Sequence, residues 1–134
     1  RFSHLGRPKE ASAGFWLQIS AQGLELIGGS YQAATPQLAK LRARLAEEHV
    51  AFGRLLKRKP LRDAMGELQG EQLKRVPRGY PPEHPAADLL RHKQFYLHAR
   101  LPVSAARSPD VVKEVARRFK LMTPFVTWLD EALA

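Results

Sequence analysis

Cysteine is absent from the 134 residues. That excludes a disulfide framework, thiolate zinc ligands and a cysteine nucleophile. It also agrees with the reducing cytoplasm, where we expect the protein to reside. No apolar stretch approaches the roughly 20 residues that a membrane-spanning helix requires, and no basic segment leads into an apolar one as a secretory signal would. We therefore expect no membrane partner. Acidic residues are few, 13 against 22 lysines and arginines, for a net charge of +9. Such an excess favours anionic partners through steering and counterion release, although a basic surface is also an ordinary way to stay hydrated.

Several signatures are missing as well. The five histidines, His4, His49, His84, His92 and His98, show no metal-ligand spacing, so no metal and no cofactor is expected. Gly28-Gly29-Ser30 lacks the lysine and the spacing of a phosphate-binding loop and follows a hairpin strand,. No Gly-x-Ser-x-Gly elbow is present,.

What is there reads as α+β, a mainly antiparallel sheet packed on long helices. Phe15, Leu17 and Ile19 alternate with Trp16, Gln18 and Ser20, the pattern of a half-buried strand,. Leu24 to Gly29 returns as its hairpin partner, with Gly23 supplying a positive φ,. Thr35-Pro36 opens a helix with Thr35 as its cap, and the stripe Leu38, Leu41, Leu45, Phe52, Leu56 carries it to about Lys57, with Gly53 a weak point,. Pro60 to Met65 predicts a short helical turn stopped by Gly66, and Glu71 to Val76 a third strand. A helix is expected to begin at His84-Pro85, and a fourth strand to cover Gln94 to Leu101. Val111, Val115, Phe119, Met122, Val126, Leu129 and Leu133 then trace a last helix, which Pro124 should kink rather than stop,.

The run from Leu73 to Pro85 stands out, because four prolines and Gly79 fix three basic side chains and Tyr80. Arg78 beside the N-terminus of a helix starting at His84 would suit a phosphate or carboxylate, with Lys74, Tyr80 and His84 as further ligand-binding candidates,. The structural alternative pairs Arg78 with Glu83 or Asp88 and leaves the run a rigid connector. Between Lys40 and Lys59 seven basic residues face two acidic ones. This is read as a helix C-terminus favouring cations, with Arg44 pairing Glu47 and Glu48. His98, flanked on its strand face by Tyr96 and Arg100, is the one candidate for acid–base catalysis.

The strand Gly14-Phe15-Trp16-Leu17-Gln18-Ile19, the pair Gly28-Gly29 and Leu38-x-x-Leu41-Arg42 occur in an order similar to that of the bacterial domain of unknown function 2461. So do Leu73 to Tyr80, His84 to Arg91 and Pro124-x-x-x-Trp128-Leu129. The chain thus resembles that family. The resemblance implies that residues 1–134 form a single domain that is the C-terminal portion of a larger one, since the family's arginine- and lysine-bearing signature lies upstream. It brings no established activity. Three readings of function follow. The first is a domain binding an anionic, phosphate-bearing ligand or nucleic acid backbone. The second is a metal-independent enzyme on an anionic substrate, and the third is a protein-interaction module.

Overall fold

A computed structural model of the chain describes residues 13–31 and 33–134. The polar lead with His4 lies outside them. In chain order the elements are β1 (Gly14–Ser20), β2 (Gly23–Ser30), α1 (Thr35–Lys57), α2 (Lys59–Met65), α3 (Ala87–Leu90), β3 (Phe95–Leu101), α4 (Val103–Ala106) and α5 (Val111–Leu133). The described strands form one antiparallel sheet in the order β1-β2-β3, confirming an α+β architecture.

The expected hairpin joins β1 to β2, with Ser20 opposite Gly23. Gly23 has φ +134, and a Cβ there would lie 2.0 Å from the Leu101 carbonyl oxygen. Turn geometry and close approach therefore both demand glycine. Leu24 and Leu26 of β2 and Phe95, Leu97 and Leu101 of β3 are buried beneath the helices. In β1 the alternation holds for Phe15, whose ring meets Phe119 at 5.0 Å, and for Leu17. Ile19, at the far end of this edge strand, is 76% exposed.

α1 has the bounds its apolar spacing predicts, but Ala34 takes the cap position and Thr35 lies inside the first turn. The helix leaves helical geometry at Glu48 (φ −109, ψ 19). There the carboxylate accepts hydrogen bonds from Trp128 Nε1 and Arg44 Nε, both at 3.0 Å. α2 ends at Gly66, with φ +77 and its N–H donated to the Arg62 carbonyl. α5 runs through Pro124 as one 23-residue helix. Thr123 Oγ1 donates to the Phe119 carbonyl just ahead of the proline.

Two expectations are corrected. Glu71 to Val76 forms no strand: it makes one isolated bridge, Gln72 to His92 ahead of β3, and Gln69 just before the segment makes another to Tyr96 of β3. The ladder stops because β3 begins at Phe95, so residues beyond Gln69 face a loop and the end of α3 rather than a strand. The helix expected from His84 covers only four residues, Ala87–Leu90, because backbone bonds at Pro81 to His84 and His84 to Ala87 form turns first.

Phe52 joins the layers. Its ring packs on Phe95 of β3 at 6.4 Å and on Phe125 and Trp128 of α5 at 5.8 and 4.6 Å. Beside it His92 is 6% exposed, its Nδ1 donating to the Gln94 carbonyl at 3.0 Å. Burial pushes this imidazole below its ordinary 6.5, with the Gln94 bond partly offsetting the shift,.

Replacing Gly29 (φ +140) by alanine would set a Cβ 2.1 Å from the Phe95 carbonyl oxygen. Urea unfolding should record a loss of at least about 2 kcal/mol for this variant. Gly53 has open space around it, so Gly53→Ala should gain about 0.5–1 kcal/mol in the same assay. Because His92 is neutral in the fold, the unfolded chain takes up the proton first. Stability should be complete above about pH 6.5 and fall as pH drops below that value,. His92→Gln should flatten this slope in a pH series of melting curves.

Candidate functional site

After α2 the chain follows the free edge of β3. Gln69 exchanges both backbone bonds with Tyr96, at 2.8 and 3.1 Å, and Glu71 accepts from the Lys93 N–H. Leu73 donates to the Arg91 carbonyl, and Arg91 Nε returns a bond to the Leu73 carbonyl. Lys74 and Arg75 lie at a bend. A turn closed by Tyr80 N–H to Pro77 follows, with Gly79 at φ +100. The connector is thus pinned to the sheet edge and to the end of α3 before it reaches Tyr80.

Past that turn it meets α1. The Tyr80 ring lies edge-on to His84 at 6.2 Å, and His84 edge-on to His49 of α1 at 5.9 Å. Two helical turns earlier on α1, Arg42 neighbours Tyr80 and donates from Nη2 to the His92 carbonyl at 2.9 Å. Its Nε is buried and has no partner, and among the described residues no carboxylate pairs with it. Burial pushes this guanidinium below its ordinary value, and the Tyr80 phenol pulls it partly back. Arg42 remains a cation, since guanidinium does not lose its proton in proteins.

Of the residues singled out in the sequence, Tyr80 and His84 come together here. Lys74 and Arg78 are exposed on the same connector, and neither forms an ion pair among the described residues. Asp88 pairs instead with Arg91 at 3.5 Å, so the expected alternative of Arg78 with Asp88 is not formed. No helix N-terminus serves Arg78: α3 is a single turn, and the Ala86 N–H ahead of it is taken by His84 Nδ1 at 2.9 Å. His98 belongs elsewhere. It lies on the sheet face away from the helices, opposite Ile27, with Nε2 2.7 Å from Glu25 Oε1.

Arg42 and His49 are the residues that counting charges overlooks. The signal lies in phase: Leu38, Arg42, Leu45, His49, Phe52 and Leu56 follow spacings of four and three, so two polar side chains occupy the apolar stripe,.

A depression of about 370 Å³ between α2 and α5 is lined by Lys59, Pro60, Asp63, Ala64, Arg117 and Arg118. Its cations are internally satisfied. Lys59 pairs with Asp63 at 3.3 Å, and Glu114 accepts from Arg117 and Arg118 at 2.8 and 2.6 Å. Those two bonds hold the Glu114 carboxyl at about 2. Arg118 also donates to the Ala64 carbonyl, which makes the cluster a clasp between helices. Among the described residues no helix is long and apolar enough to cross a membrane, and no three metal-ligating side chains converge.

No match emerges among curated proteins or among solved structures. The sequence profile of one family does match, over residues 1–128. The chain belongs to the conserved hypothetical protein family DUF2461.

Proposed function

We propose that the chain binds a small phosphate-bearing ligand where the connector meets α1. The observation that carries this reading is Arg42, a half-buried guanidinium with an orphaned Nε and no carboxylate partner among the described residues. A desolvated cation without a counterion is costly, and an anion that reached it would recover that cost. With Nε buried and Nη2 held by the His92 carbonyl, the guanidinium would act on a phosphate at the junction through its charge rather than as an open fork,. Lys74 and Arg78, exposed and unpaired, supply a positive field at the approach,. Tyr80 lies beside Arg42 and its ring meets His84, so a phenol O–H and an imidazole stand along the connector for the ligand's further oxygens,.

Calorimetric titration with inorganic pyrophosphate tests the reading. Binding should weaken about tenfold in Arg42→Gln, and by a smaller factor with a shallower salt dependence in the double variant Lys74→Ala, Arg78→Ala. The double variant alters only exposed side chains, so it reports even if Arg42→Gln folds poorly. Equal affinity in both variants and the parent, or no heat at any salt concentration, would refute the assignment. Binding of DNA with a steeper salt slope than pyrophosphate would refute it too, in favour of a backbone-tracking surface.

A further inference from the structure

The His49 and His84 rings meet at 5.9 Å with an interplanar angle of 73°. Their backbone partners fix opposite tautomers. His84 Nδ1 accepts the Ala86 N–H at 2.9 Å, and a backbone N–H can only donate, so neutral His84 carries its proton on Nε2,. His49 Nδ1 lies 3.3 Å from the Ala46 carbonyl, which can only accept, so neutral His49 keeps a bare lone pair on Nε2,. Neither Nε2 has a partner among the described residues, and neither is among the buried orphaned atoms, so both are open to solvent. The two adjoining rings therefore carry one fixed donor and one fixed acceptor.

We propose that this pair selects a phosphomonoester by sharing one proton with it. The inference rests on the phosphate-binding reading above and deepens it. His84 Nε2–H donates to one phosphoryl oxygen, while a proton bridges His49 Nε2 and a second. That proton is carried in by the monoanion, or taken from solvent when the dianion binds. Imidazole and phosphomonoester compete for a proton on comparable terms near neutrality, so either route reaches the same complex. A phosphodiester oxygen is a far weaker base than a phosphomonoester dianion, so it cannot share the proton and would leave it on the histidine alone. The other ionisable groups around His49 fit this assignment. His84 faces it from the connector, Tyr80 packs on the His84 ring, and Arg42 lies two turns away on α1. The Glu48 carboxylate is occupied by Trp128 and Arg44.

Calorimetry at pH 7.5 in buffers of different ionisation enthalpy counts the protons taken up on binding. The probes are phenyl phosphate and the diester dimethyl phosphate. The parent should take up a proton with phenyl phosphate and bind it about tenfold tighter than the diester. His49→Gln retains a hydrogen-bonding group at the same reach but cannot titrate, so it should lose the uptake and most of the preference. Uptake unchanged in His49→Gln, or absent in the parent while phenyl phosphate still binds, would overturn the shared proton and leave the phosphate reading standing. No binding of phenyl phosphate, dimethyl phosphate or pyrophosphate would overturn both.

Discussion

Phe52 touches three aromatic residues with one ring: Phe95 in the sheet, and Phe125 and Trp128 on the last helix. A fully buried aromatic of this kind contributes several kcal/mol, roughly 3–5 when truncated, against a total of about 5–15 for a domain. With only three described strands, the sheet cannot enclose its own apolar face and needs both long helices over it,. Phe52 holds α1 in that cover, and α1 in turn carries Arg42 and His49. The polar junction with the connector therefore inherits its geometry from the core.

The same helix meets conflicting demands. Four positions of its 4-3 stripe are apolar and point toward sheet and helix, whereas Arg42 and His49 take two stripe positions for charge and hydrogen bonding. Removing an arginine from water without a carboxylate is expensive, and the His92 carbonyl offsets only part of that cost,. The contrast with the α2–α5 clasp is instructive. There Arg117 and Arg118 share Glu114, so each cation has a carboxylate partner. Both clusters contain arginine beside a helix, and only the one at the connector leaves its cation unmatched.

Much of the fold was legible because helical periodicity is a local property. The stripes of α1 and α5 set their extents, and Gly66 marked the end of α2. The segment from Glu71 to Val76 was not legible, since a strand exists only where a partner runs beside it and β3 begins too late. Thr35 and His84 misled for a related reason: cap preferences say which residues suit a helix start, not which residue the chain places there,. At the connector, an unusual local composition drew attention to Tyr80 and His84, whose rings the fold brings together. Arg42 and His49 were hidden inside a charge run, where the total obscured which side of the helix each residue occupied.

The prolines at 77, 81, 82 and 85 have a consequence for folding that would extend to recognition. Each fixes one backbone torsion in the unfolded chain as well as in the folded one, so the connector loses little freedom when it docks. On the phosphate-binding reading proposed above, a ligand at Tyr80 and His84 would meet a surface whose ordering has already been accomplished. Its binding free energy is not spent on immobilising a loop, and discrimination between similar ligands is left to hydrogen-bond chemistry.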